Sequence, residues 1–221
     1  MNALCTVSAA LVQAQRVALP ITLVRMQAVF GWDKAQQGEL LSAFFLGYYS
    51  TQLPGGLLAT RSSPSRVIGI SVLMPSLLTM VMPSAALATP AWLFALRALQ
   101  GAAQGPWSSC LASLWSTWSH PNERSRMDSM APFGQYVGTL IFGSLAGLQC
   151  DSPEWPIFGG WHGVFHLHGV LGVLWAVLWL STSADTPALD PRHPAAERDG
   201  IEHALRAEPE TFQTLSTLTL K

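Results

Sequence analysis

Two arginines, Arg16 and Arg97, stand inside long apolar stretches of the chain. A charge at bilayer depth costs on the order of 3 kcal/mol on insertion scales, so such a residue faces a protein interior, a partner or a solute path. No Asp or Glu shares their depth: Glu39 and Asp128 fall near the starts of apolar stretches, and Glu123 falls between two of them. Buried positive charge without an internal counter-ion is the chemistry of an anion site, and a guanidinium suits carboxylate and phosphate geometry. Two structural roles compete for Arg97. It can snorkel to the interface, or bond to helix carbonyls as a strut.

A second cluster is Trp161-His162-Gly163-Val164-Phe165-His166-Leu167-His168. His162 and His166 are spaced i, i+4 on one helical face, as in zinc-binding pairs. No Glu lies between them to act as a base, and no third ligand is near in sequence, so an interfacial cluster of amphipathic rings is expected. Cys5, Cys110 and Cys150 are scattered and lack metal-binding spacing. No metal and no other cofactor is expected. With no buried carboxylate pair and no nucleophile–base set, the chain does not read as an enzyme.

The elements that must hold these residues are set by composition. Charged residues make up 11% of the 221 and apolar residues 49%, with a mean hydropathy of +0.29. A soluble domain carries about 25% charged residues. The formal net charge of −1 and the absence of a basic stripe exclude nucleic acid as a partner. Charge is missing altogether from 67–96, 129–150 and 156–184, and about 20 apolar residues suffice to cross a bilayer as a helix. Backbone groups in lipid must pair within their own segment, so six helical spans are predicted over about 3–24, 38–59, 66–87, 91–117, 128–149 and 161–183. The expected class is an all-α membrane protein, a six-helix bundle over 1–184 followed by a polar cytoplasmic tail over 185–221.

The basic residues orient the bundle. Arg61, Arg66, Arg124, Arg126, Arg192, Arg198, Arg206 and Lys221 fall on one side of the predicted topology, and Arg25 and Lys34 on the other. The positive-inside rule then assigns both termini to the cytoplasm. The first segment lacks a basic n-region and carries Arg16 within its apolar run, unlike a signal peptide; a start site that clips the first helix is the preferred explanation of its polarity. The tail, with Pro187, Pro191 and Pro194 before a mixed-charge stretch from Ala195 to Glu208, suits a linker toward a second membrane half. Gly101–Gly105 and Gly134–Gly138 have the spacing that lets membrane helices approach closely.

Several motifs resemble one family. Phe30-Gly31-Trp32-Asp33, Gly38, Ser42-Ala43-Phe44-Phe45-Leu46-Gly47-Tyr48 and Thr51-Gln52-Leu53-Pro54-Gly55-Gly56 are similar to the anion:cation symporters of the major facilitator superfamily. These comprise the vesicular glutamate, sialin and sodium–phosphate carriers. Arg97-Ala98-Leu99-Gln100-Gly101, Trp118 through Arg126, and Gly160-Trp161 with Val164-Phe165 extend the likeness, which runs from about Arg16 to Ile201. Gln52 through Val67 and Met82-Pro83-Ser84-Ala85-Ala86 resemble the vesicular glutamate branch in particular.

The resemblance implies a twelve-helix fold of two six-helix bundles around one central site, of which this chain supplies the N-terminal half. Inverted three-helix repeats make the first and fourth spans equivalent, and each carries one arginine. Arg16 falls where the family has a first-helix arginine that meets the substrate carboxylate or phosphate, and Arg97 falls on its fourth-helix arginine. Tyr48 and Gln52 are expected to line the path. Gln104 stands where the family has a glutamate linked to proton coupling or charge balance, Leu41 where the glutamate branch has a histidine, and Thr60 and Ser63 where the wider superfamily has Asp and Gly. The replacements at 104 and 41 count against glutamate specificity and against proton coupling by the usual route.

The expected function is therefore alternating-access transport of a small organic or inorganic anion, with a proton or sodium ion as candidate coupling ion. The expected partners are the lipid bilayer and a C-terminal six-helix half or a second chain. The competing expectation is a transport-inactive six-helix remnant that binds or regulates another membrane protein.

Overall fold

The computed structural model describes residues 2–118, 124–152, 154 and 159–183, without the side chains at 58–60, 117 and 124. The expected tail over 185–221 and the 119–123 loop with Glu123 lie outside the described residues. Six helices follow in order: α1 (Asn2–Phe30), α2 (Lys34–Arg61), α3 (Pro64–Ala88), α4 (Pro90–Trp118), α5 (Arg124–Asp151) and α6 (Gly160–Thr182). Each has 23 to 29 residues, which at 1.5 Å per residue gives roughly 35–44 Å, enough to pass the hydrocarbon layer. By length and composition α1, α3 and α6 are apolar enough to cross a membrane. The other three are as long but more polar, because α4 carries Arg97 and its glutamines while α2 and α5 carry charges toward their ends.

The first turns are short and chemically specified. α1 stops at Gly31, whose φ of 69° suits a residue without Cβ and whose N–H reaches Gln27 O at 2.9 Å. α2 begins with a reciprocal cap: Asp33 Oδ1 accepts from Gln36 N at 2.7 Å, and Asp33 N donates to Gln36 Oε1 at 3.1 Å. α3 begins on Ser63, whose hydroxyl accepts from Arg66 N at 3.3 Å, with Pro64 in the first turn. These turns force neighbouring helices to run antiparallel.

α2 packs chiefly on α4, α1 on α5, and α3 on both α4 and α6, while α6 also backs α1. Exchanging α1 with α4, α2 with α5 and α3 with α6 maps this pattern onto itself, as an inverted repeat requires. The two principal interfaces are close because they are glycine-lined. A Cβ at Gly101 would run into the Phe44 carbonyl, and one at Gly138 would stand 2.6 Å from Ala10 Cα.

Two apolar clusters fill the ends of the bundle. One joins Cys5, Val12, Val72, Leu114, Trp115, Trp175 and Trp179; the other joins Leu19, Met26, Trp32, Met82, Leu93, Trp161 and Phe165. Trp179 Nε1 ties the first cluster to Ser65 O at 2.8 Å, and Trp175 Nε1 ties it to Leu4 O at 3.1 Å. Arg61, Arg66 and Arg126 stand at the end of the first cluster, and Arg25, Lys34 and Asp151 at the other. Between the clusters, along α1, α3 and α4, lies a band of polar side chains.

Candidate functional site

That band contains Gln15 and Arg16 from α1, Ser76 and Thr79 from α3, and Arg97, Gln100 and Gln104 from α4. Gln15, Ser76, Thr79, Gln100 and Gln104 are wholly buried, and Arg97 is 3% exposed. Burial of so many polar groups requires that they satisfy one another. Gln15 Nε2 donates to Ser76 Oγ at 2.8 Å, and Gln104 Nε2 donates to Gln15 Oε1 at 3.0 Å. Gln100 Nε2 donates to Thr79 Oγ1 at 2.9 Å. The network ties α1, α3 and α4 together at mid-bundle.

The two arginines enter it differently. Arg16 Nε donates to Gln104 Oε1 at 3.0 Å, and its guanidinium carbon lies 4.6 Å from the Tyr48 ring centroid and 5.3 Å from that of Phe44. The aromatic faces offset part of the lost hydration. One terminal nitrogen of Arg16 is buried without an acceptor, and so is Nε of Arg97. Arg97 is turned inward. Its fork donates to Arg16 O at 2.9 Å, to Gln15 O at 3.4 Å and to Gln100 Oε1 at 2.7 Å, with its guanidinium carbon 5.1 Å from the Phe44 ring centroid. Of the two roles weighed for Arg97 besides anion contact, the geometry is that of the strut to helix carbonyls; at 3% exposure it does not snorkel.

Every described carboxylate is exposed: Asp33, Glu39, Asp128, Asp151 and Glu154. The band therefore carries two guanidinium groups and no carboxylate among the described residues. Arg25 pairs with Asp151 at the bundle end, with side chains 54% and 66% exposed.

Arg16, Tyr48, Arg97 and Gln104 are brought together. Gln52 is half-buried one turn beyond Tyr48 on α2, and its side chain takes no part in the network. The structure adds Gln15, Ser76, Thr79, Gln100 and Phe44. Two of these had a usable signal, since Gln100 follows Arg97 by three residues and Phe44 precedes Tyr48 by four, the spacings of one helical face. Among the histidines, His162 is exposed and stacked on Trp161, His166 Nδ1 lies 2.9 Å from His162 O, and His168 is buried with Nδ1 2.5 Å from Val164 O and its ring against Phe142. His162 and His166 are neighbours along α6, whereas His168 is buried apart from them.

Six long helices with a cationic band at mid-depth, free of carboxylates among the described residues, define a multi-pass membrane protein. Residues 5–219 match the Major Facilitator Superfamily, and the chain belongs to it. It is 35% identical over 183 residues to vesicular glutamate transporter 2 and to vesicular glutamate transporter 1 of Bos taurus, matches that cover 83% of this chain and 30% and 32% of the relatives. The chain thus spans about a third of the length of these curated relatives. Among solved structures it resembles a bacterial homologue of the human lysosomal transporter Spinster in two inward-facing forms. The occupied form has a TM-score of 0.74 at 22% identity, covering 84% of this chain and 44% of that one. The unoccupied form has a TM-score of 0.77 at 20% identity, covering 88% and 45%. At these identities the likeness is one of fold. The described residues form an all-helical half of that fold, and the family is one of transporters, not enzymes.

Proposed function

We propose that the chain forms one wall of a carrier that moves a small anion by alternating access, and that Arg16 meets the anion. The observation that carries this reading is the buried nitrogen of Arg16 without an acceptor, in a band with two guanidinium groups and no described carboxylate. An entering carboxylate or phosphate would supply the acceptor and the counter-charge together. Gln104 and the Tyr48 and Phe44 rings hold the Arg16 guanidinium in one orientation, which lowers the entropy lost on binding. Tyr48 and Gln52 line the approach along α2.

The relatives named as glutamate transporters support an anionic substrate; glutamate, phosphate and sialic acid are the candidates. Gln104 and Leu41 count against coupling through the family's usual titratable groups, and sodium is the alternative to a proton. Both termini are assigned to the cytoplasm, where Arg61, Arg66 and Arg126 would lie. The wall is completed by a second six-helix half or a second chain, packed along faces of α2 and α5 that expose Leu53, Tyr49, Tyr136 and Leu140.

The test is uptake by purified full-length protein in liposomes. Labelled L-glutamate, phosphate and sialic acid are offered at two pH values, with and without sodium. One anion should accumulate, Arg16→Ala should remove the uptake, and Arg16→Lys should leave a small part of it, because an ammonium cannot hold the Gln104 bond and present a second donor in the same plane. Uptake unaffected by Arg16→Ala would sink the assignment.

A further inference from the structure

Two helix-interior prolines share an unusual provision. Proline has no N–H, and its ring pushes against the carbonyl four residues earlier, so that carbonyl loses its helical donor. For Pro20 of α1 the carbonyl is that of Arg16, and Arg97 of α4 donates to it at 2.9 Å. For Pro106 of α4 the carbonyl is that of Ala102, and Thr51 of α2 donates to it at 2.8 Å. In both cases a side chain from a neighbouring helix stands in for the missing main-chain donor. The helices concerned, α1 and α4, are the equivalent members of the two halves of the packing pattern.

We propose that Arg97 is a positioning residue, which acts on the anion only through α1 by capping the carbonyl that Pro20 leaves open and so setting the angle at which Arg16 is presented. The carbonyl it grips belongs to the residue whose side chain binds. Any rotation of α1 at that point swings the Arg16 guanidinium away from Gln104 and Tyr48. Gln100 fixes the Arg97 fork from its own helix at 2.7 Å, so the grip is rigid on both sides. Burial at 3% exposure keeps water from replacing either donor. The link to the anion rests on the assignment of Arg16 above; the link between Pro20 and Arg97 does not.

This predicts coupling between two positions that bear no charge complementarity. Pro20→Ala restores an N–H four residues after Arg16 and supplies the carbonyl from within the helix. Arg97→Met in the native background should lower the affinity for labelled L-glutamate or phosphate, whichever the unaltered full-length protein binds, by about tenfold. In the Pro20→Ala background the same substitution should cost less than about threefold. The cycle is repeated on amide hydrogen exchange across α1, which needs no ligand: Arg97→Met should speed exchange near 16–20 only while Pro20 is present. Independent, additive effects in the exchange cycle would overturn the proposal. Should Arg97→Met fail to fold, recovery of folded protein by Pro20→Ala supports it, and no recovery overturns it. A coupled exchange cycle together with unchanged affinity in Arg16→Ala would remove the anion assignment and leave the capping role standing.

Discussion

Gln104 Oε1 accepts the Nε–H of Arg16 at 3.0 Å, while the Gln104 amide donates to Gln15 Oε1 at 3.0 Å. A neutral amide thus orients the cation without neutralising it. A carboxylate in the same place would do both.

Gln104→Glu should therefore set a competing carboxylate against Arg16. At pH 7 the new carboxylate pairs with Arg16 and competes with an incoming anion, and affinity for L-glutamate falls about tenfold or more. Equilibrium binding measured at pH 7 checks this. Equal affinity of the two proteins at pH 7 would contradict it.

Close approach of α5 to α1 makes its glycines unequal. A Cβ at Gly138 would stand 2.5 Å from Ala10 O and 2.6 Å from Ala10 Cα, whereas one at Gly147 meets nothing within 4 Å. Backbone cannot move aside as a side-chain tip can, so Gly138→Ala should destabilise by about 1–3 kcal/mol. Gly147→Ala should be neutral or stabilise by up to about 1 kcal/mol, since alanine loses less backbone freedom in a helix. Thermal unfolding in detergent separates them, and equal shifts would argue against the packing of α1 on α5.

The Arg25–Asp151 pair joins α1 to α5 but lies at the exposed bundle end, with side chains 54% and 66% exposed. Exposed pairs are screened and contribute about 0–1 kcal/mol. Asp151→Asn should shift the unfolding temperature little, and less again in high salt. A large, salt-independent loss of stability would mean that the pair sits in a drier setting than its exposure indicates.

Much of the architecture is legible in residue order. Charge-free stretches such as 67–96 dictate membrane helices because hydrocarbon offers no solvation for ions; the caps at Gly31, Asp33 and Ser63-Pro64 came with the structure. Arg16 and Arg97 stand out because each charge interrupts an apolar run. Gln15, Ser76, Thr79 and Gln100 do not, since single neutral polar residues recur throughout the spans and their value depends on what faces them. The length of α1 also exceeds its expected span: the helix continues to Phe30 because Leu23 and Met26 remain packed in the second apolar cluster.

By itself the sequence determined that this is a helical membrane chain with two unneutralised arginines at mid-depth, because burial of charge is a property of composition along a span. Only the tertiary structure decided that the two make different contacts. Arg16 turns toward Tyr48, while Arg97 turns inward onto α1. That division depends on helix rotation and on the carbonyl opened by Pro20. Both are relations between segments some 80 residues apart in the chain, and local spacing along either helix does not encode them.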